Sequence, residues 1–412
     1  MEQGWLNRFT EDDALLASYM KTFMESTMTS VFGRRSGMVR ALAGAAAVAA
    51  MVASNITAAA AAEVPDIYDP SATIAEIAPE IARETTSPDS VDLTINNGST
   101  GAIVSLSAPE AAAERRGAGE DVSGVASPEL TFTAPYLVSE REKSGDISVW
   151  NTTSSAAAAY IQPMNGGVRI LTAIADDSAP REYTYHLDVP AGTELRENDL
   201  GFMIWSAEND FLGQIHKPWA RDSSGRDLDT HYEWNDGTLT QVVDLDVSGI
   251  DFPVLIDPAW TYGYSYDIAL KSVAQTRNLL YSCFNCYFPV EGAPSWFPSP
   301  DEYLPLIVRA FPGAPFPLDF SCYFNNEQRT VYEGYTYFNY SFRASSTHVD
   351  GFGSWISFDF SPRDPSQAPA YAGTRLVVNA YIVNSNPPGG QWLYSEFARG
   401  NWATFANNIE TG

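Results

Sequence analysis

Cysteine and histidine are scarce in this chain, with three cysteines (Cys283, Cys286, Cys322) and four histidines (His186, His216, His231, His348) among 412 residues. A closed zinc site takes four Cys or His ligands. With the Cys-x-x-Cys pair at 283 and 286 and Cys322, His348 could serve as a fourth ligand, but no Cys/His pair accompanies Cys322, so zinc is not expected. A catalytic dithiol needs its first cysteine at a helix N-terminus, where the dipole favours the thiolate; here the preceding residues read as a helix that ends at Cys283. Basic residues are few as well, 24 Lys and Arg against 51 Asp and Glu, a net charge of −27. Such a surface repels phosphate backbones and argues against nucleic acid as a partner. Gly-x-Ser-x-Gly, His-Glu-x-x-His and phosphate-cradling glycine loops do not occur. "DSSGRDLD" spaces Asp222, Ser224, Asp227 and Asp229 somewhat like a calcium loop but lacks the closing bidentate Glu, so it reads as a hairpin turn. No cofactor is expected.

The N-terminal region carries the clearest signal. In "MTSVFGRRSGMVRALAGAAAVAAMVASNITAAAAAE", Arg34, Arg35 and Arg40 flank a short apolar core, Ala41 to Val52, with small residues at Ala60-Ala61-Ala62. This reads as a secretory signal, too short and alanine-rich for a membrane span. Residues 1–27 are expected to be an extension ahead of a start at Met28 or Met24, with residues 28–62 the signal peptide. The expected product is extracellular or wall-associated, with no stable membrane span in the mature chain. Residues 63–87, rich in Ala, Pro, Glu, Ser and Thr, read as a disordered linker or propeptide.

From residue 88 the pattern is that of strands. "EYTYHLDVP" alternates Tyr183, Tyr185, Leu187 and Val189 against Thr184, His186 and Asp188, as a half-buried strand requires. "GGVRILTAIA", "LGFMIW" and "TLTQVVDLDV" continue in that style between turns such as "NDG". Many short strands without helical periodicity between them predict a mainly β chain: an antiparallel β-sandwich, immunoglobulin-like or related, over 88–260.

Part of this region resembles a recurring module of secreted actinobacterial proteins. The motif residues are Pro218, Trp219, Ala220, Asp222 and Gly225, then Thr230, His231 and Tyr232, then Gly237, Leu239, Gln241 and Val243, and finally Pro253, Val254, Asp257 and Pro258. "APREYTYHLDVPAG" fits its upstream part, and the resemblance covers about residues 90–260. It departs at Phe252, where a Tyr is usual, and at Leu255-Ile256, where Val-Ala is common. It implies secretion and an actinobacterial source and transfers no catalytic residue.

Residues 261–412 read as a β-rich α+β domain. "DIALKSVAQTRNLLYSC" places Ile268, Ala269, Ser272, Val273, Thr276, Leu279 and Leu280 on one stripe of a helix. "LDFSCYF", "GYTYFNYSF", "SWISFDF" and "RLVVNAYIV" follow as strands, and "YSEFARGNWATFANNI" as a terminal helix. In an exported chain the expected use of the cysteines is one disulfide, Cys322 with Cys283 or Cys286, leaving one thiol. His348 and Asp350 are the weak catalytic candidates. Tyr335, Tyr337, Trp355 and Trp392 are candidates for a ligand platform. The aromatic face not used for core is expected either under a helix or open to a sugar ring or an apolar partner. The functional expectation is a non-enzymatic binding protein for a cell-wall glycan or a surface protein. The alternatives are a secreted hydrolase with its site in the C-terminal domain, and an exported effector with a C-terminal payload.

Overall fold

The computed structural model describes residues 66–82, 91–107, 124–198, 200–309, 316–384 and 391–412, with the backbone alone at 124–126 and 391–396. Residues 1–62, expected to be an extension followed by a signal peptide, lie outside the described residues. The described chain is mainly β, in antiparallel sheets.

The first sheet has six strands, ordered Asp92–Gly98, Gly101–Ser107, Leu130–Ala134, Glu182–Leu187, Thr238–Val243 and Thr230–Asn235. Alternation decides its facing: Tyr183, Tyr185 and Leu187 are buried while Glu182 and His186 are exposed. The buried side shares one core with a ten-stranded second sheet, Phe132, Tyr185 and Leu239 meeting Trp150, Ile170 and Trp260. Phe132 stacks on Trp260 at 4.3 Å, and the Tyr136 and Tyr185 hydroxyls lie 2.8 Å apart.

The second sheet is covered on its other face too, which is why Gly167–Ile174 is buried at every position and reads as a continuous apolar run. The cover comes from the segment expected to be a disordered linker. Residues 66–82 instead form the helices Pro70–Ile77 and Pro79–Ala82. Asp69 caps the first, its carboxylate accepting from the Ala72 amide at 3.0 Å, with Pro70 in the first turn. Ile74, Ile77 and Ile81 form an apolar stripe at helical spacing that packs with Tyr160, Leu171 and Leu255, and the Tyr160 hydroxyl donates to the Ile67 carbonyl at 2.6 Å.

The third sheet has seven strands, ordered Tyr303–Leu304, Cys322–Tyr332, Tyr335–Ala344, Trp355–Pro362, Thr374–Tyr381, Tyr264–Ile268 and Gly124–Ala126. The boundary read at residue 260 falls inside the strand Ala259–Thr261 of the second sheet, just before Tyr264–Ile268 of the third. Residues 64–412 form one compact unit. Gly124–Ala126 pairs with Tyr264–Tyr266, so the early chain completes the late sheet. Hydrogen bonds tie the two sheets, a part-buried one from Asn165 to the Ile382 carbonyl (2.9 Å) and a buried one from Asn198 to Asp359 (3.2 Å).

On one face of the third sheet, Phe338, Tyr340, Phe342, Phe358 and Phe360 pack beneath the helices Val273–Ser282 and Gln391–Thr411. The first of these starts later than the stripe suggested, because Asp267 and Ile268 belong to a strand; Ser272 and Gln275 form its capping box. Among the described residues no helix is long and apolar enough to cross a membrane.

Candidate functional site

The cysteines pair differently from expectation. The disulfide joins Cys283 to Cys286, and Cys322 is a buried free thiol. The reason is local geometry. Cys283 ends the helix Val273–Ser282 and begins a single turn, Phe284–Tyr287, in which the Cys286 amide donates to the Cys283 carbonyl at 3.2 Å. That turn brings the two Cα atoms within 5.3 Å, inside the range a disulfide spans. Cys322 sits on a strand and points into the aromatic core, where burial pushes its thiol up to about 12.

Four residues singled out in the sequence, Cys322, His348, Asp350 and Trp355, line one cavity of about 110 Å³. It lies between the third sheet and its terminal helix, which contributes Phe397, Ala398, Asn401 and Trp402. The His348 and Asp350 side chains are mostly buried. Burial holds the His348 imidazole down to about 4, partly opposed by the Asp319 charge. Its Nδ1 accepts from the Asp350 amide at 3.0 Å, so the neutral ring carries its proton on Nε2. In a hydrolytic triad the carboxylate accepts a hydrogen bond from the Nδ1–H; here the Asp350 carboxylate is 3.7 Å from a nitrogen that is already an acceptor. The Ser354 hydroxyl donates to the Asp350 carbonyl at 2.7 Å, and these contacts clamp the loop 348–354.

Tyr337 lies elsewhere, in a cleft of about 370 Å³ between the second and third sheets. A β-bulge makes this possible. Up to Phe324 the strand Cys322–Tyr332 is in step with its neighbour, Phe324 opposite Phe342; the register then shifts by one residue, so that Glu327 faces Tyr340, Gln328 faces Asn339 and Thr330 faces Tyr337. Glu327 stays on the helix side, where it accepts from Arg277 Nε at 2.6 Å. Gln328, Thr330, Tyr332, Tyr337 and Asn339 therefore face the cleft. The opposite wall comes from the strands Glu194–Asn198 and Gly201–Trp205.

Arg196 organises this wall. Its guanidinium lies 5.0 Å from the centre of the Trp205 ring and 5.7 Å from that of Tyr337, and it donates to the Asn209 side chain at 2.7 Å. Burial raises the Tyr337 pKa, with Arg196 opposing, so the phenol remains a hydrogen-bond donor at neutral pH. Asp359 forms part of the floor. It is 2% exposed and accepts from Asn198 at 3.2 Å and from the Ser357 hydroxyl at 3.0 Å. Glu194 and Glu197 are exposed at the mouth.

No protein-family model, no curated protein and no solved structure matches this chain. The chemistry therefore rests on its own residues. Of the expected platform, Tyr337 reaches the cleft, Trp355 lies in the cavity against His216, and Tyr335 ties down a loop by donating to the Pro365 and Gln367 carbonyls at 2.8 and 2.7 Å. Trp392 belongs to the terminal helix, and its side chain lies outside the described residues. Arg196, Trp205, Gln328 and Asn339 were missed. The signal for the last two was their place in alternating strands beside the tyrosines; nothing local marked Arg196 or Trp205.

Proposed function

We propose that this is an exported, wall-associated binding protein of actinobacterial type, non-enzymatic, whose cleft takes a cell-wall glycan. The observation that carries the reading is the single face on which Gln328, Thr330, Asn339 and two tyrosines stand together, opposite a guanidinium stacked between two rings. Sugar rings present apolar C–H faces and a fringe of hydroxyls. Aromatic planes take the first, and amide and hydroxyl side chains take the second. The cleft volume of about 370 Å³ falls within the range of small-molecule sites. Exposed Glu194 and Glu197, on a chain of net charge −27, favour a neutral or amino sugar over a polyanion. The signal segment and the actinobacterial resemblance supply the location.

The hydrolase alternative draws less support, because His348 is wired to a backbone amide rather than to a carboxylate. The effector alternative needs a detachable C-terminal part, whereas a strand from residues 124–126 completes its sheet.

Sedimentation with purified cell walls tests the reading. The chain from Val64 onward is expected to co-sediment, soluble wall oligosaccharide to compete it off, and Tyr337→Ala or Gln328→Ala to release it. Retention by walls stripped of glycan, with no competition by oligosaccharide, would point to a surface protein and sink the glycan.

A further inference from the structure

We infer that the cavity between the third sheet and the terminal helix is a second binding site, for an uncharged apolar molecule about the size of one six-membered ring. The inference does not depend on the glycan cleft. The cavity exists because side chains shorten along its walls. Ala344 comes two residues after Phe342 on its strand, Ala380 is paired with Ile356 on the next, and Ala398 stands one turn before Trp402 on the helix. Buried apolar side chains such as Phe288, Leu306 and Phe342 line the rest of it. An apolar cavity of about 150 Å³ stays dry and admits benzene, and the 110 Å³ here is close to that scale. Ala380, Ala398 and Trp402 are only partly buried, which gives a guest a way in.

The polar groups at the wall select against negative charge. Cys322 is 4% exposed and remains a thiol, because burial raises its pKa to about 12. His348 is neutral at physiological pH, with burial holding it down to about 4. Arg343 is already turned to Asp301 and Asn325, at 2.7 Å each, and Asp350 disfavours an anion. An anionic guest would lose its hydration without gaining a counter-charge.

Thermal unfolding of the chain from Val64 onward, with benzene, toluene or benzoate as the probe, tests this. Benzene and toluene are expected to raise the midpoint by a few degrees in a saturable way, because a ligand of the folded state alone stabilises by mass action, and benzoate is expected to leave it unchanged. Ala380→Leu and Ala398→Leu, which fill the cavity, should abolish the rise, and the cleft variant Tyr337→Ala should keep it. No rise with either hydrocarbon, or an undiminished rise in both filled variants, overturns the inference. Should a filled variant fail to fold, a xenon-pressurised crystal decides: a peak between Cys322 and Ala380 supports the site, and its absence refutes it.

Discussion

His216 and His348 are both partly buried, and that burial holds their imidazoles down to about 3 and about 4, Arg169 adding to the effect at His216 and Asp319 opposing it at His348. In the unfolded chain histidine takes its proton near 6.5. Both folded values lie below that, so between them the unfolded state binds more protons than the folded state. Their contribution to stability is whole above about pH 6.5 and falls as the pH drops toward 4 for His348 and 3 for His216. Urea midpoints measured from pH 7 to pH 4 should decline, and His348→Gln should flatten that decline; a wild-type midpoint constant over the range contradicts the burial. The cysteines give a second test at this scale. Alkylation of the denatured, unreduced chain should tag one thiol, and peptide mapping should place the tag on Cys322 rather than on Cys283 or Cys286. The bridge closes a loop of about four residues, so by chain entropy it contributes about 2 kcal/mol, against about 4 for the longer loop a Cys322 bridge would have closed.

Among the elements, the strands were legible and the helices 70–82 were not. Strands such as Glu182–Leu187 show themselves because alternation separates Tyr183, Tyr185 and Leu187 from their neighbours within six residues. The helical stripe of Ile74, Ile77 and Ile81 was present too, but in an Ala, Pro and Glu background with no visible partner, and its partner is a sheet some 80 residues on. Burial of that stripe makes a definite expectation. Ile74 is 2% exposed, and Ile74→Ala should cost about 2 to 4 kcal/mol in urea unfolding. A cost near zero would mean that the helix does not stay docked. The Cys-x-x-Cys pairing was missed for a related reason: spacing alone does not reveal the turn Phe284–Tyr287 that brings the two residues together.

For the whole molecule, the pairing of Gly124–Ala126 with Tyr264–Tyr266 and the bond from Asn198 to Asp359 make the late sheet depend on the early chain. Residues 261–412 expressed alone should lack cooperative unfolding by circular dichroism, whereas the chain from Val64 onward should unfold in one transition. A sharp, native-like transition for the fragment contradicts this dependence. The same geometry explains why half of the candidate site was readable. Tyr337 announces itself in an aromatic strand, but Arg196 and Trp205 reach it from well over 100 residues earlier, a proximity that only the folded chain creates. The central claim is that this shared cleft binds a glycan, and calorimetric titration with soluble wall oligosaccharide tests it most directly. The chain from Val64 onward should bind saturably at one site. Tyr337→Ala should weaken binding about tenfold, as loss of an aromatic contact of about 1.4 kcal/mol requires, while Tyr371→Ala, a ring 78% exposed, should bind like wild type. No saturable heat from the wild-type chain, or equal affinity in the Tyr337 variant, would contradict it.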